Sequence, residues 1–277
     1  MYYPWVRIVV FLMAITLVMT AVIFGVVKRN SGIERGVENV AAQEDSNELS
    51  SLEEQVAVEE ENNQVIQELP EVEQIGKGQI VALTFDDGPS EYTNQLLDVL
   101  KREKVPATFF VLGNRASAYP EVIKREIAEG HEVESHTMSH QNLTKLSEAS
   151  MRAEITGATE TICRIEGKAN CIKYLRPPYG EISDTLRQVV GVPMIGWSID
   201  TEDWKSKNPQ MIQDRTLGMV SDGSVVLMHD IYETSIKGAE MIIRGLKAAG
   251  FTFVTVDEMI REKEAVLGAG SYFGRFD

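Results

Sequence analysis

The chain has 277 residues, a formal net charge of −15 and a sequence pI of about 4.8. The acidic balance argues against nucleic acid as a partner, because a phosphate backbone is bound through surplus Lys and Arg. Hydrophobic residues make up 43%, enough for a sizeable core, and two cysteines are too few for a disulfide scaffold or a four-Cys zinc site.

The first element is an uninterrupted run of 20 uncharged residues, 8–27. As a helix it spans about 30 Å, the hydrocarbon thickness of a bilayer. Residues 1–29 therefore read as an uncleaved membrane anchor. A cleaved signal peptide is the rival, but its apolar region is usually shorter and ends at a small-x-small site, and no convincing site follows here. Arg7 precedes the run and Lys28 and Arg29 follow it, so charge does not set its orientation. Residues 30–77 read as an acidic, largely disordered stalk. Residues 36–76 hold 12 acidic residues, no basic residue and no aromatic, a composition that buries too little apolar surface to offset chain entropy. Leu49, Leu52, Val56, Ile66 and Leu69 sit near heptad spacing, but Glu59 and Asn63 fall in the same seam, which argues against a coiled coil. As a flexible coil the stalk spans on the order of 40 Å.

From residue 78 short β-rich runs alternate with amphipathic stretches. The expected strands are 80–84, 107–111, 132–135, 173–175, 193–197, 224–228 and 252–254. The expected helices are 93–103, 121–129, 148–165, 185–190, 210–219 and 235–249. This alternation predicts an α/β domain over 78–262 with a largely parallel sheet, and a tail over 263–277. Seven strands fit an open doubly wound sheet or an incomplete barrel, and in both the chemistry belongs at the C-terminal strand ends.

Polar clusters sit at those ends. After the first strand comes Phe85-Asp86-Asp87-Gly88-Pro89, where adjacent carboxylates can point apart, one to a metal and one to a reacting water. A plain turn is the alternative. After the third comes His136-Thr137-Met138-Ser139-His140. Its two imidazoles, four residues apart, would share one face of a helical turn. With Asp87 they make a two-His, one-carboxylate set that leaves metal positions open. His131, before that strand, reads as structural. The next clusters are Arg176-Pro177-Pro178-Tyr179-Gly180, Asp200-Thr201-Glu202-Asp203-Trp204 and His229-Asp230. Arg176 can pair with a carboxylate, and His229 beside an acidic residue suits a general acid.

These five clusters, in this order, resemble the five motifs of the polysaccharide deacetylases, carbohydrate esterase family 4, over about residues 77–260. The resemblance implies a distorted (β/α) barrel of about seven parallel strands and hydrolytic removal of acetyl groups from a sugar polymer. It also implies one divalent metal, usually zinc, with cobalt, manganese or nickel as alternatives. Carried over by position, Asp87, His136 and His140 would hold the metal, Asp86 would be the general base and Arg176 would orient it. His229 would be the general acid tuned by Asp203, and the Tyr179 N–H would stabilise the oxyanion. Trp204, Leu227 and Pro178 would line the substrate pocket. Glu134 and Ser135 stand where the family commonly has smaller or amide residues, which is expected to alter the groove wall without touching a ligand. Cys163 and Cys171 either form a disulfide or remain reduced thiols.

The resulting expectation is a single-pass membrane protein with an extracellular catalytic domain, or a secreted one if the N-terminal segment is cleaved. It would remove N-acetyl groups from a wall glycan, with peptidoglycan the leading substrate. Chitin-like oligomers and O-acetylated xylan are the alternatives. A non-catalytic wall-binding protein of the same fold would show damage at the metal, base or acid positions, and none is damaged. Nothing in the sequence sets the oligomeric state.

Overall fold

The computed structural model describes residues 78–276. The expected anchor and stalk, residues 1–77, lie outside the described residues, and among those described no helix is long and apolar enough to cross a membrane. In chain order the elements are β1 (Ile80–Asp86), α1 (Thr93–Glu103), β2 (Thr108–Val111), α2 (Gly113–Ala118), α3 (Pro120–Ala128), β3 (Glu132–Ser135), α4 (Glu148–Glu166) and α5 (Asp184–Val189). They continue with β4 (Met194–Ile195), β5 (Ile199–Asp200), α6 (Asp203–Ser206), α7 (Pro209–Leu217), β6 (Ser224–His229), α8 (Glu233–Ala248), β7 (Thr252–Phe253), α9 (Val256–Glu262) and β8 (Tyr272–Phe273).

Every paired strand runs parallel to its neighbour, in the order β3-β2-β1-β6-β5. Beyond β3 a single parallel bridge joins Ser135 to Leu175, and another joins Leu175 to Met194. The segment 194–200 bonds Leu175 at its start and β6 at its end. Strand pairing therefore runs round from β1 through β3 and back through β6, consistent with the distorted barrel expected. β7 adds to the first residues of β1, where β2 has not yet begun, and β8 flanks β4.

Three differences from the sequence reading have physical causes. The expected strand 173–175 is reduced to the bridge at Leu175, because the amides of Lys173 and Tyr174 donate to a side chain instead. The expected strand 193–197 breaks at Gly196, where β4 ends and the chain changes partner before β5. The residues expected as a tail belong to the fold: Phe276 is buried with Ala82, Phe110 and Val225, and Arg275 bridges Ser224. Gly223, with φ 76, permits that seating, since a Cβ there would lie 1.5 Å from the Phe276 carbonyl oxygen. Helices α2, α6 and α9 were not expected. α6 is a single turn, and α9 opens on a capping box between Thr255 and Glu258.

Side-chain alternation positions the chemistry. On β1, Val81, Leu83 and Phe85 face one core with α1 and α8 residues such as Leu96, Leu100 and Ile242. Ala82 joins the other core, with Phe110 of β2 and Val225 of β6. Thr84 and Asp86 share the Ala82 face by the same period, as Leu227 and His229 share that of Val225. The register pairs Asp86 with His229 directly. Both strands are buried almost throughout, as expected of parallel strands covered on both faces.

Cys163, at the end of α4, is joined by a disulfide to Cys171, in the segment that leads to Arg176. Loop-closure entropy assigns a bridge of this span about 2.5 kcal/mol. The double variant Cys163→Ser/Cys171→Ser is expected to melt about 5–10 °C below the wild-type chain by differential scanning calorimetry.

Candidate active site

The strand ends surround a cavity of about 410 Å³ lined by residues from β1, β5, β6 and the loops after β3, β4 and Pro177. Asp87 lies just beyond β1 with φ 73, so its side chain leaves the direction set by Asp86. Its Oδ1 is 3.6 Å from His136 Nε2 and 3.5 Å from His140 Nε2. One donor atom from each of the three residues lies within 4.8 Å of the others. Asp87 Oδ1 is buried and has no hydrogen-bond partner among the described residues. A buried carboxylate oxygen facing two imidazole nitrogens, otherwise unsatisfied, fits a divalent cation.

The helical turn expected for the histidine pair is absent. Residues 136–140 form an irregular loop in which Thr137 (φ 71) and His140 (φ 60) are left-handed, and that curvature brings the imidazoles to a ring separation of 5.0 Å. His136 Nδ1 lies 2.7 Å from the Arg176 carbonyl oxygen. That contact assigns the ring proton to Nδ1 and turns the Nε2 lone pair toward Asp87. Burial, outweighing the nearby Asp87, pushes the His136 pKa down to about 3, so the imidazole is neutral and competent to ligate.

Behind the triad, Arg176 is fully buried. Its Nη1 donates to Asp86 Oδ1 and to Thr84 Oγ1, each at 2.7 Å. Its Nη2 donates to the Gly196 carbonyl and its Nε to that of Ile195. The Phe110 ring covers the guanidinium, 3.9 Å from Cζ to centroid. Burial raises the Asp86 pKa, and the charges of Arg176 and His229 partly oppose it. Asp86 Oδ2 lies 3.7 Å from His136 Nε2, at the edge of the triad.

On the other flank His229 Nδ1 is 2.8 Å from Asp203 Oδ1. Asp203 is itself fixed: it accepts the His229 and Trp204 amides and the Ser235 hydroxyl. Burial alone would lower the His229 pKa, but the Asp203 hydrogen bond and charge, with help from Asp86 and Asp87, raise it to about 9. The imidazolium is thus held ready as a proton donor at neutral pH. Asp230, next in sequence, turns away to accept the Thr93 hydroxyl. Gly88 allows this, because a Cβ there would sit 2.2 Å from Asp230 Oδ2.

The mouth carries two large exposed aromatics, Tyr179 (62%) and Trp204 (48%). Tyr179, left-handed at φ 63, packs edge-on against His140. Leu227 and Trp204 line the cavity. Pro178 does not: it is buried, and the left-handed Tyr179 after it turns the chain so that Tyr179 lines the cavity in its place. Trp197, Asp200 and Tyr232 also line the cavity and were not expected. The signal for Tyr232 was its place three residues after His229. His131 is structural, accepting the Ala107 amide at Nδ1 and meeting Phe109 edge-on.

Comparison with known proteins agrees with this geometry. A polysaccharide deacetylase family model matches residues 73–191. The chain belongs to the polysaccharide deacetylase family. It is 40% identical over 210 residues to a peptidoglycan-N-acetylglucosamine deacetylase, PgdA, of Listeria monocytogenes, covering 76% of this chain and 44% of that protein. The chain thus spans less than half the length of this relative. The solved structure of peptidoglycan deacetylase PdaC from Bacillus subtilis superposes with a TM-score of 0.65 at 43% identity, covering 67% of this chain and 92% of that one. A family 4 acetyl xylan esterase from Clostridium thermocellum, solved with a cobalt ion, gives a TM-score of 0.67 at 29% identity, covering 71% and 98%.

The Asp203–His229 pair makes a titration testable. With a folded pKa raised from 6.5 to about 9, the pair stabilises the fold fully below pH 6.5, and the contribution disappears as pH rises through about 9. The His229 ring proton followed by NMR in metal-free protein is expected to titrate near pH 9, and in Asp203→Asn to fall to 6.5 or below.

Proposed function

We propose that this chain is a metal-dependent deacetylase that removes N-acetyl groups from the amino sugars of a cell-wall glycan, with peptidoglycan as the substrate. The observation that carries the reading is the placement of Asp86 and His229 as direct cross-strand partners beside the Asp87–His136–His140 triad. Amide hydrolysis needs a base toward water and an acid toward the departing amine, and here one site presents both. The peptidoglycan deacetylases among its relatives favour that glycan over the others.

Asp87, His136 and His140 would hold the metal, and zinc suits two imidazoles and a carboxylate with positions left open. When bound, such a cation polarises the acetyl carbonyl and lowers the pKa of water. Asp86, anchored by Arg176, takes the proton from the attacking water at its free carboxylate oxygen, Oδ2. The Tyr179 backbone N–H stabilises the negative charge that develops on the acetyl carbonyl oxygen as water adds to its carbon. His229 donates its proton to the nitrogen as the C–N bond breaks, releasing acetate and a free amino sugar. Leu227 and Trp204 enclose the acetyl methyl. Exposed Tyr179 and Trp204 at an open mouth offer stacking faces to a sugar chain, which suits a polymer better than a small amide.

In the same reading, residues 8–27 anchor the protein in a membrane and the acidic segment 30–77 lets the domain reach the wall outside the cell. The Cys163–Cys171 disulfide supports an oxidising compartment.

Acetate release by the full chain should be measured on peptidoglycan, chitooligosaccharides and acetylated xylan, before and after chelation and zinc readdition. Peptidoglycan is expected to be the best substrate, and chelation to abolish release until zinc is restored. Asp86→Asn is expected to lower kcat by about 10²–10⁴-fold. Release from xylan alone would overturn the substrate, and full activity of Asp87→Ala would overturn the metal assignment.

A further inference from the structure

Glu134 is a departure from the motif pattern that the catalytic reading does not absorb. It does not form the groove wall. It is buried on β3, two residues before His136, which follows the strand. Its Oε2 accepts two successive backbone amides, Lys173 N–H and Tyr174 N–H, each at 2.9 Å. The next two amides are also taken: Leu175 donates to the Pro193 carbonyl and Arg176 to that of Ser135.

Segment 173–176 pairs with β3 through only one bridge, so it lacks the full ladder that would hold a strand in place. The Glu134 carboxyl supplies what the ladder does not. The end of that segment, Arg176, bears directly on the site. The Arg176 guanidinium holds Asp86. The Arg176 carbonyl receives the His136 Nδ1 contact, and that contact aims Nε2 at Asp87. Glu134 on β3 and His136 just beyond its end thus grip one segment, Glu134 at 173–174 and His136 at 176.

We propose that Glu134 is a positioning residue: through the Lys173 and Tyr174 amides it sets the place of Arg176, and through Arg176 the orientation of the metal ligand His136 and of Asp86. The proposal rests on the assignment of a divalent metal to Asp87, His136 and His140. An outer hydrogen bond that orients a metal-bound histidine typically contributes 10–100-fold in metal affinity. Zinc affinity is therefore a readout that a brace serving stability alone would not move.

The test compares Glu134→Met, close in length but without an acceptor, with Glu134→Gln, whose amide oxygen can accept the same two N–H groups. Zinc affinity of the metal-free full chain is measured by competition with a chromophoric chelator, kcat and KM on N-acetylglucosamine oligomers, and melting temperature by calorimetry. Glu134→Met is expected to bind zinc at least about ten-fold more weakly and to lose a similar factor in kcat with KM little changed. Glu134→Gln is expected to stay within about two-fold of wild type on both. If Glu134→Met does not fold, Glu134→Asp, one methylene too short to reach both amides, takes its place. Zinc affinity and kcat that survive the loss of the acceptor overturn the proposal, as does a Glu134→Gln variant impaired as far as Glu134→Met. A wild-type chain that binds no zinc overturns the metal assignment, and this proposal with it.

Discussion

The buried guanidinium of Arg176 is the constraint around which the domain is organised. A charge removed from water costs several kcal/mol unless every donor is met and an opposite charge is near. Here Asp86 supplies the charge, Thr84 a hydroxyl, Ile195 and Gly196 their carbonyls, and Phe110 a ring face. These partners come from β1, β2 and the end of β4 with the residue that follows it, so satisfying one side chain brings together strands from across the ring. The backbone of Arg176 extends the same knot to β3, with its amide on Ser135 and its carbonyl at His136. Function and fold therefore share their hydrogen bonds. The group that neutralises the proposed base is also the group that the barrel closes upon.

The site concentrates negative charge and backbone strain that a domain selected only for stability would avoid. Asp86, Asp87, Asp200 and Asp203 lie in or behind one cavity, offset by Arg176 and a protonated His229. Asp87, Thr137, His140 and Tyr179 all adopt left-handed backbone, at a cost of order 1–3 kcal/mol each. Each of these conformations has a visible consequence. Asp87 diverges from Asp86, the two imidazoles converge, and Tyr179 faces the cavity. The surrounding layers hold the strained residues in place, since β1 and β6 are buried almost throughout.

Much of this was legible in the sequence because parallel strands covered on both faces are continuous apolar runs, and the residues just after each run must lie at one end of the sheet. The clusters that hold Asp86, Asp87, His136, Arg176, Asp203 and His229 were found that way, and the resemblance to the polysaccharide deacetylases singled out Asp203 within its cluster. The features that escaped were set by three-dimensional closure. The His136–His140 pair meets through left-handed turns and not through a helical face. Pro178 is turned inward, and Tyr179 occupies the cavity wall expected of it. Residues 263–276 read as a tail because they follow the last expected strand and the last motif, yet Phe276 is buried in the core with Gly223 beside it. Ser235 and Thr84, which fix Asp203 and Arg176, carry no signal of their own: a hydroxyl on a helix or strand is informative only when its partner is known.

The central claim is that one divalent metal is held by Asp87, His136 and His140 in a site that Arg176 and His229 complete. X-ray absorption at the zinc edge of the zinc-loaded full chain tests it most directly. The account predicts one equivalent of zinc with two imidazole nitrogens at about 2.0–2.1 Å and oxygen in the remaining positions, and one imidazole fewer in His140→Ala. Absence of stoichiometric zinc, or a ligand shell unchanged by His140→Ala, would contradict it.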